Sequence, residues 1–112
     1  MKICAIQLRP GHDRAANIAA ATALVDAAVA AERPDLIALP EVWSCLGGPR
    51  SGKFAAAEDF SAPDPDGAYL ALQGLAARHG VFVHGGSILE RAGERLHNTT
   101  VVFDRDGREQ AR

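Results

Sequence analysis

Two short apolar runs, Lys2–Leu8 and Leu36–Pro40, lie on either side of an alanine-rich stretch whose larger apolar side chains return at a helical period. That order of strand, helix and strand constrains the chain more than any other feature, because a strand-helix-strand crossover closes with parallel strands and one handedness. The first run carries β-branched residues, ends at Arg9-Pro10-Gly11, and suits a strand buried on both faces. Between Asp13 and Ala31, residues Ile18, Thr22, Val25 and Val29 form one helical stripe, with Asp13 at the N-cap position. Arg33-Pro34 stops that helix before the second run begins. The fold class expected is therefore α/β.

Turn-forming residues then dominate from Ser44 to Gly67, which reads as one long connection. Ala68–His79 has the spacing of a second helix, with Tyr69, Leu72, Leu75 and Ala76 on one face and Gly80 at its C-terminal cap. Val81–Leu89 and Asn98–Phe103 read as two strands joined by the polar segment Glu90–Arg95, an antiparallel hairpin. Asp104-Arg105-Asp106-Gly107 is a further turn, and a new strand is expected to begin only at Arg112. There is no internal repeat and no compositional break, so residues 1–112 read as one unit, incomplete at its C-terminal end.

Composition narrows the function. Apolar residues are 47% and charged residues 23% of the 112, ordinary globular values that argue against disorder. A formal charge of −2, with both signs interspersed, offers no stripe for a nucleic acid backbone. The apolar part of the first run is too short for a signal core or membrane span, so no membrane partner is expected and the protein is placed in the cytoplasm. Cys4 and Cys45 are expected to be reduced thiols. His12, His79, His84 and His97 lack metal-ligand spacing, so neither metal nor cofactor is expected.

Glu41 follows the second strand, at the sheet edge where ligands of open α/β folds gather. It stands alone between Ile37-Ala38-Leu39-Pro40 and Val42-Trp43, apolar company in which desolvation favours the protonated form and suits a general base. The bland alternative is a solvated glutamate in a turn. Trp43 is read as a pocket wall, His84 as a hydrogen-bonded core residue, and Gly85-Gly86 as either a close approach to ligand or tight strand packing. Cys45 with Lys53 forms a second, weaker candidate for nucleophilic chemistry. Gly47–Lys53 matches the first seven positions of a phosphate-binding loop, but Phe54 replaces the hydroxyl residue that such a loop needs.

The ordered series of motifs resembles the opening of nitrilase-superfamily carbon-nitrogen hydrolases. Ala5-Ile6-Gln7 stands for the family's slightly longer Ala-to-Gln strand, Asn17-Ile18 for its Asn-bearing helix, and Asp35-Leu36-Ile37-Ala38-Leu39-Pro40-Glu41 matches without a break. Gly85–Glu90 resembles its glycine-rich strand, and Asn98–Phe103 followed by Gly107 its Asn-Thr strand and turn. The resemblance implies the N-terminal half of an α-β-β-α four-layer sandwich, homo-oligomeric when full length. It implies a Glu-Lys-Cys triad acting on a small amide, of ω-amidase type, or on a nitrile. Of that triad only Glu41 is carried here, and the Lys and Cys fall beyond Arg112, so the segment alone is expected to be inactive. The competing readings are a non-catalytic truncated relative that pairs with other subunits, and nucleotide binding through the defective phosphate loop.

Overall fold

A computed structural model describes residues 1–112. Strand β1 (Ile3–Ala5), helix α1 (Arg14–Glu32) and strand β2 (Leu36–Ala38) form the expected crossover, with β1 and β2 parallel and Cys4 opposite Ile37. Asp13 caps α1 as expected, its Oδ1 accepting from Ala16 N at 3.0 Å. The stripe that α1 buries is Asn17, Ala21 and Val25, turned by one position from the stripe of larger side chains. Small alanines let the helix approach the sheet closely, which periodicity counted on large residues alone does not register.

The connection after β2 contains a short helix, α2 (Arg50–Ala56), before α3 (Ala68–His79), which ends at Gly80 in the left-handed conformation. Gly52 and Lys53 lie inside α2, and Lys53 N donates to Pro49 O at 3.2 Å. With the Lys53 amide spent on Pro49 and Phe54 in place of the hydroxyl residue, the phosphate-loop reading gains no support from the structure.

The expected strand Val81–Leu89 is divided. Strand β3 (Phe82–His84) pairs parallel to β2, whereas β4 (Ile88–Ala92) pairs antiparallel with β5 (Arg95–Thr99) in a separate two-stranded ribbon. The hairpin is tighter than expected, with only Gly93-Glu94 in its loop. Strand β6 (Val102–Phe103) returns to β3, and β7 (Glu109–Ala111) completes a five-stranded sheet of order β1-β2-β3-β6-β7. The final strand therefore begins before Arg112. Tyr69 holds it by donating its hydroxyl to Glu109 Oε2 at 2.6 Å, and the adjacent Arg112 guanidinium keeps the Glu109 carboxyl below its ordinary range.

Helices α1 and α3 cover one face of the sheet, with Ile37, Val83, Leu72, Val101 and Phe103 fully buried. The opposite face is uncovered: Ile3 is 56% exposed and Phe82 36%. They share that face with Leu36, in register across β1, β2 and β3. The expectation that the first strand is buried on both faces thus fails within these residues, because nothing among them packs on its second face.

Glu58 is the buried charge that organises the long connection. Its carboxylate accepts from Ala68 N at 2.7 Å and Tyr69 N at 3.1 Å, first-turn amides that have no partner within α3, with Arg14 Nη1 at 3.9 Å. Its backbone bridges to the ribbon through Leu89 O and Arg91 N. Burial raises its pKa, opposed by the two amide bonds and then by Arg14. With the folded value above the unfolded one, the folded state holds the extra proton between them, and this contribution to stability is lost as pH rises through the folded value. Glu58→Gln should cost about 1–3 kcal/mol at acid pH, because an amide nitrogen then faces a backbone donor. The gap to wild type should narrow as pH rises from the ordinary carboxylate value through the raised one, which urea midpoints across that window will measure.

Candidate active site

Leu39 and Pro40 carry the chain out of β2, and Glu41 begins a turn at the carboxyl edge of the sheet. Val42 then takes φ +50, a left-handed conformation rare for a β-branched residue. The conformation is held from both sides by Ser87, whose N donates to Pro40 O at 3.1 Å and whose hydroxyl accepts from Val42 N at 2.9 Å. Backbone held in such a region by its surroundings is the pattern of a functional turn.

Gly85 and Gly86 are explained by packing rather than by approach to a ligand. A Cβ on Gly85 would meet Leu72 Cδ1 at 2.8 Å, and one on Gly86, at φ +61, would lie 1.9 Å from Pro40 O. The two glycines let the chain pass under the Glu41 turn, and that passage divides β3 from β4.

Glu41 is exposed, and Asn98 Nδ2 donates to its Oε1 at 3.1 Å. Both line an open cavity of about 300 Å³ with Leu39, His84, Ser87 and Thr100. The apolar enclosure expected around Glu41 is absent from these residues, since Leu39 is the one apolar side chain lining the cavity. His84 is exposed and lines this cavity, contrary to the core position expected for it; its Nδ1 accepts from Gly86 N at 3.2 Å.

Trp43 departs from expectation in the other direction. The reversal at Val42 sends it into the core, 1% exposed, where its indole N–H donates to Gly85 O at 2.8 Å. Cys45 is also buried, its thiol directed to His12 O at 3.6 Å among Ala57 and Leu89, and does not line the Glu41 cavity. It is a small core residue rather than a nucleophile. Cys4 packs partly against the main core.

Asn17 has a role that its place in a helix did not disclose. Buried at the start of α1, it exchanges hydrogen bonds with Gly11 N and O at 3.0 and 2.8 Å and donates to Ser44 O at 3.0 Å. It thereby ties the loop after β1 to the segment that follows Glu41. The larger cavity of the molecule, about 550 Å³, lies between α1 and α3 beside Ala15, Ile18 and Leu70, with Asp66 its one ionisable side chain.

An α/β sheet of parallel start that presents a carboxylate on a braced turn at its carboxyl edge has the arrangement in which α/β proteins gather ligands. Comparison with known proteins makes this specific. The carbon-nitrogen hydrolase family matches residues 2–112. A chloroplastic omega-amidase of Arabidopsis thaliana is 33% identical over 106 residues, covering 95% of this chain and 28% of that protein. An omega-amidase of Danio rerio is 30% identical over 106 residues, covering 95% of this chain and 36% of its own length. The crystal structure of Saccharomyces cerevisiae Nit3, a nitrilase-superfamily member, superposes with a TM-score of 0.84 at 22% identity, over 97% of this chain and 41% of that one. The chain belongs to the carbon-nitrogen hydrolase family, and its fold is that of the nitrilase-superfamily member Nit3. It spans about a third of the length of the two curated relatives.

Proposed function

We propose that these residues are the general-base portion of an enzyme that hydrolyses a small linear amide of ω-amidase type, with Glu41 as the base. The observation that carries this reading is the position of Glu41: a carboxylate at the sheet edge, on a turn braced at both ends, with one oxygen hydrogen-bonded and the other free in a cavity. Likeness to two omega-amidases supports an amide over a nitrile.

In the full-length enzyme a Lys and a Cys from outside residues 1–112 complete the triad. Glu41 takes the thiol proton as the sulfur attacks the amide carbon, and Lys stabilises the resulting oxyanion. Protonated Glu41 then gives its proton to the leaving nitrogen, and ammonia departs from a thioester. Water, deprotonated by the same carboxylate, attacks the thioester and releases the acid and the thiol. The uncovered sheet face supports a second layer of structure in the complete domain.

Ammonia release from a panel of short dicarboxylate monoamides, other linear amides and nitriles tests the proposal. The full-length protein should turn over monoamides fastest. Residues 1–112 expressed alone should show no turnover above background, because one carboxylate does not replace a nucleophile and an oxyanion partner. Nitrile turnover exceeding amide turnover would overturn the substrate class, and turnover by the 112-residue chain would overturn the split triad.

A further inference from the structure

We infer that Asn98 is the positioning residue for the Glu41 carboxylate: by holding Oε1 it leaves Oε2 as the oxygen that exchanges protons during the reaction. This deepens the reading of Glu41 as general base and rests on it. Asn98 lies 57 residues from Glu41 in the chain, and Glu41 Oε1 is the sole protein acceptor for its side-chain amide. Glu41 Oε2 accepts no hydrogen bond from the protein.

The register of the ribbon brings the two together. Asn98 pairs with Leu89 across β4 and β5. The same ribbon begins next to Ser87, whose two bonds hold the backbone on either side of Glu41. Ser87 therefore places the Glu41 backbone and Asn98 the end of its side chain, Asn98 from within the hairpin and Ser87 from the residue that leads into it. An exposed glutamate side chain has several rotamers, and a single fixed donor at one oxygen selects among them before substrate arrives. His84 is the other titratable group lining the cavity, and its ring accepts from Gly86 N rather than bonding to Glu41. Of the side chains lining the cavity, Asn98 is the one hydrogen-bonded to the carboxylate.

The test compares Asn98→Ala and Asn98→Asp in the full-length enzyme, with ammonia release from a short dicarboxylate monoamide as the readout. Asn98→Ala should lower kcat by about 10- to 100-fold, the cost of a misplaced reacting group. Its KM should stay within about twofold, since an interaction that orients the base is not one that binds substrate. The urea midpoint should not move, because Asn98 is exposed. Asn98→Asp keeps the shape, loses the donor and sets a second carboxylate against Glu41, so its loss should be at least that of Asn98→Ala. Retention of wild-type kcat by Asn98→Asp would reduce the residue to packing and overturn the inference. So would a raised KM with kcat unchanged, which would mark direct substrate binding. An inactive Glu41→Gln enzyme beside fully active Asn98 variants would remove the positioning role alone, whereas a fully active Glu41→Gln enzyme would remove the underlying reading of Glu41.

Discussion

Glu41→Gln in the full-length enzyme should lower kcat/KM for the preferred amide by about 10²- to 10⁴-fold, the contribution usual for a general acid–base group. The substitution is a sharp one. Gln is nearly the same size, its Oε1 can still accept from Asn98 Nδ2, and the turn between Pro40 and Val42 depends on Ser87 rather than on the carboxylate. Only the second oxygen changes, from a proton acceptor to an amide nitrogen. Because Glu41 is exposed, stability should stay within about 0.5 kcal/mol of wild type, so lost activity cannot be assigned to unfolding. Glu41→Asp is the graded control. It keeps the acid but draws it back by one methylene, away from Asn98, and should lose about 10²-fold, as a displacement near 1 Å does. Rates from steady-state ammonia release and urea midpoints measured on the same preparations decide the matter. A Glu41→Gln enzyme within fivefold of wild type would sink the assignment, since no other carboxylate lines the cavity.

The elements best legible in the sequence were those specified by local chemistry. The crossover of β1, α1 and β2, the Asp13 cap and the Gly80 stop each depend on a few neighbouring residues, and each occurs where local rules place it. Glu41 at a strand end was legible for the same reason. Its surroundings were not. Asn98 and His84 reach the cavity through strand pairing across more than forty residues, and no local pattern marks them as its neighbours.

The division between β3 and β4 falls at His84-Gly85-Gly86-Ser87, which interrupts the apolar run, but two glycines there read equally as a bulge within one strand, and the break depends on the Leu39–Pro40 backbone that lies against Gly86. Trp43 was misplaced by a single dihedral angle: φ +50 at Val42 reverses the chain, so a residue adjacent to Glu41 in sequence faces the core. Glu58 looked like one acid among several in a turn-rich segment. Its partners, the amides of Ala68 and Tyr69, lie ten and eleven residues further on, and only the closed loop shows that a charge is buried there. Tertiary contact decided each of these cases against a local reading that was reasonable on its own.

Gly86→Ala should be the most damaging small substitution in the chain, and Gly93→Ala is its natural control. Both glycines have φ +61, so both substitutions carry the same left-handed cost of about 1–2 kcal/mol for an L-residue. At Gly93, in the two-residue loop of the ribbon, an added Cβ meets nothing within 4 Å. At Gly86 it would meet Pro40 O at 1.9 Å and Leu39 O at 2.6 Å. Both obstacles are backbone, so no side chain can rotate away, and the Pro40–Val42 turn must lift from the ribbon. Ser87 N and its hydroxyl would then lose Pro40 O and Val42 N together. Gly86→Ala should therefore destabilise the full-length enzyme by more than about 4 kcal/mol, in the range reserved for buried backbone strain. Any folded fraction should have lost kcat, because Glu41 moves with the turn. Gly93→Ala should cost only the conformational part and keep full activity. Equal urea midpoints for the two variants would show that left-handed strain alone accounts for both, and that the close passage beneath Pro40 does not hold the Glu41 turn in place.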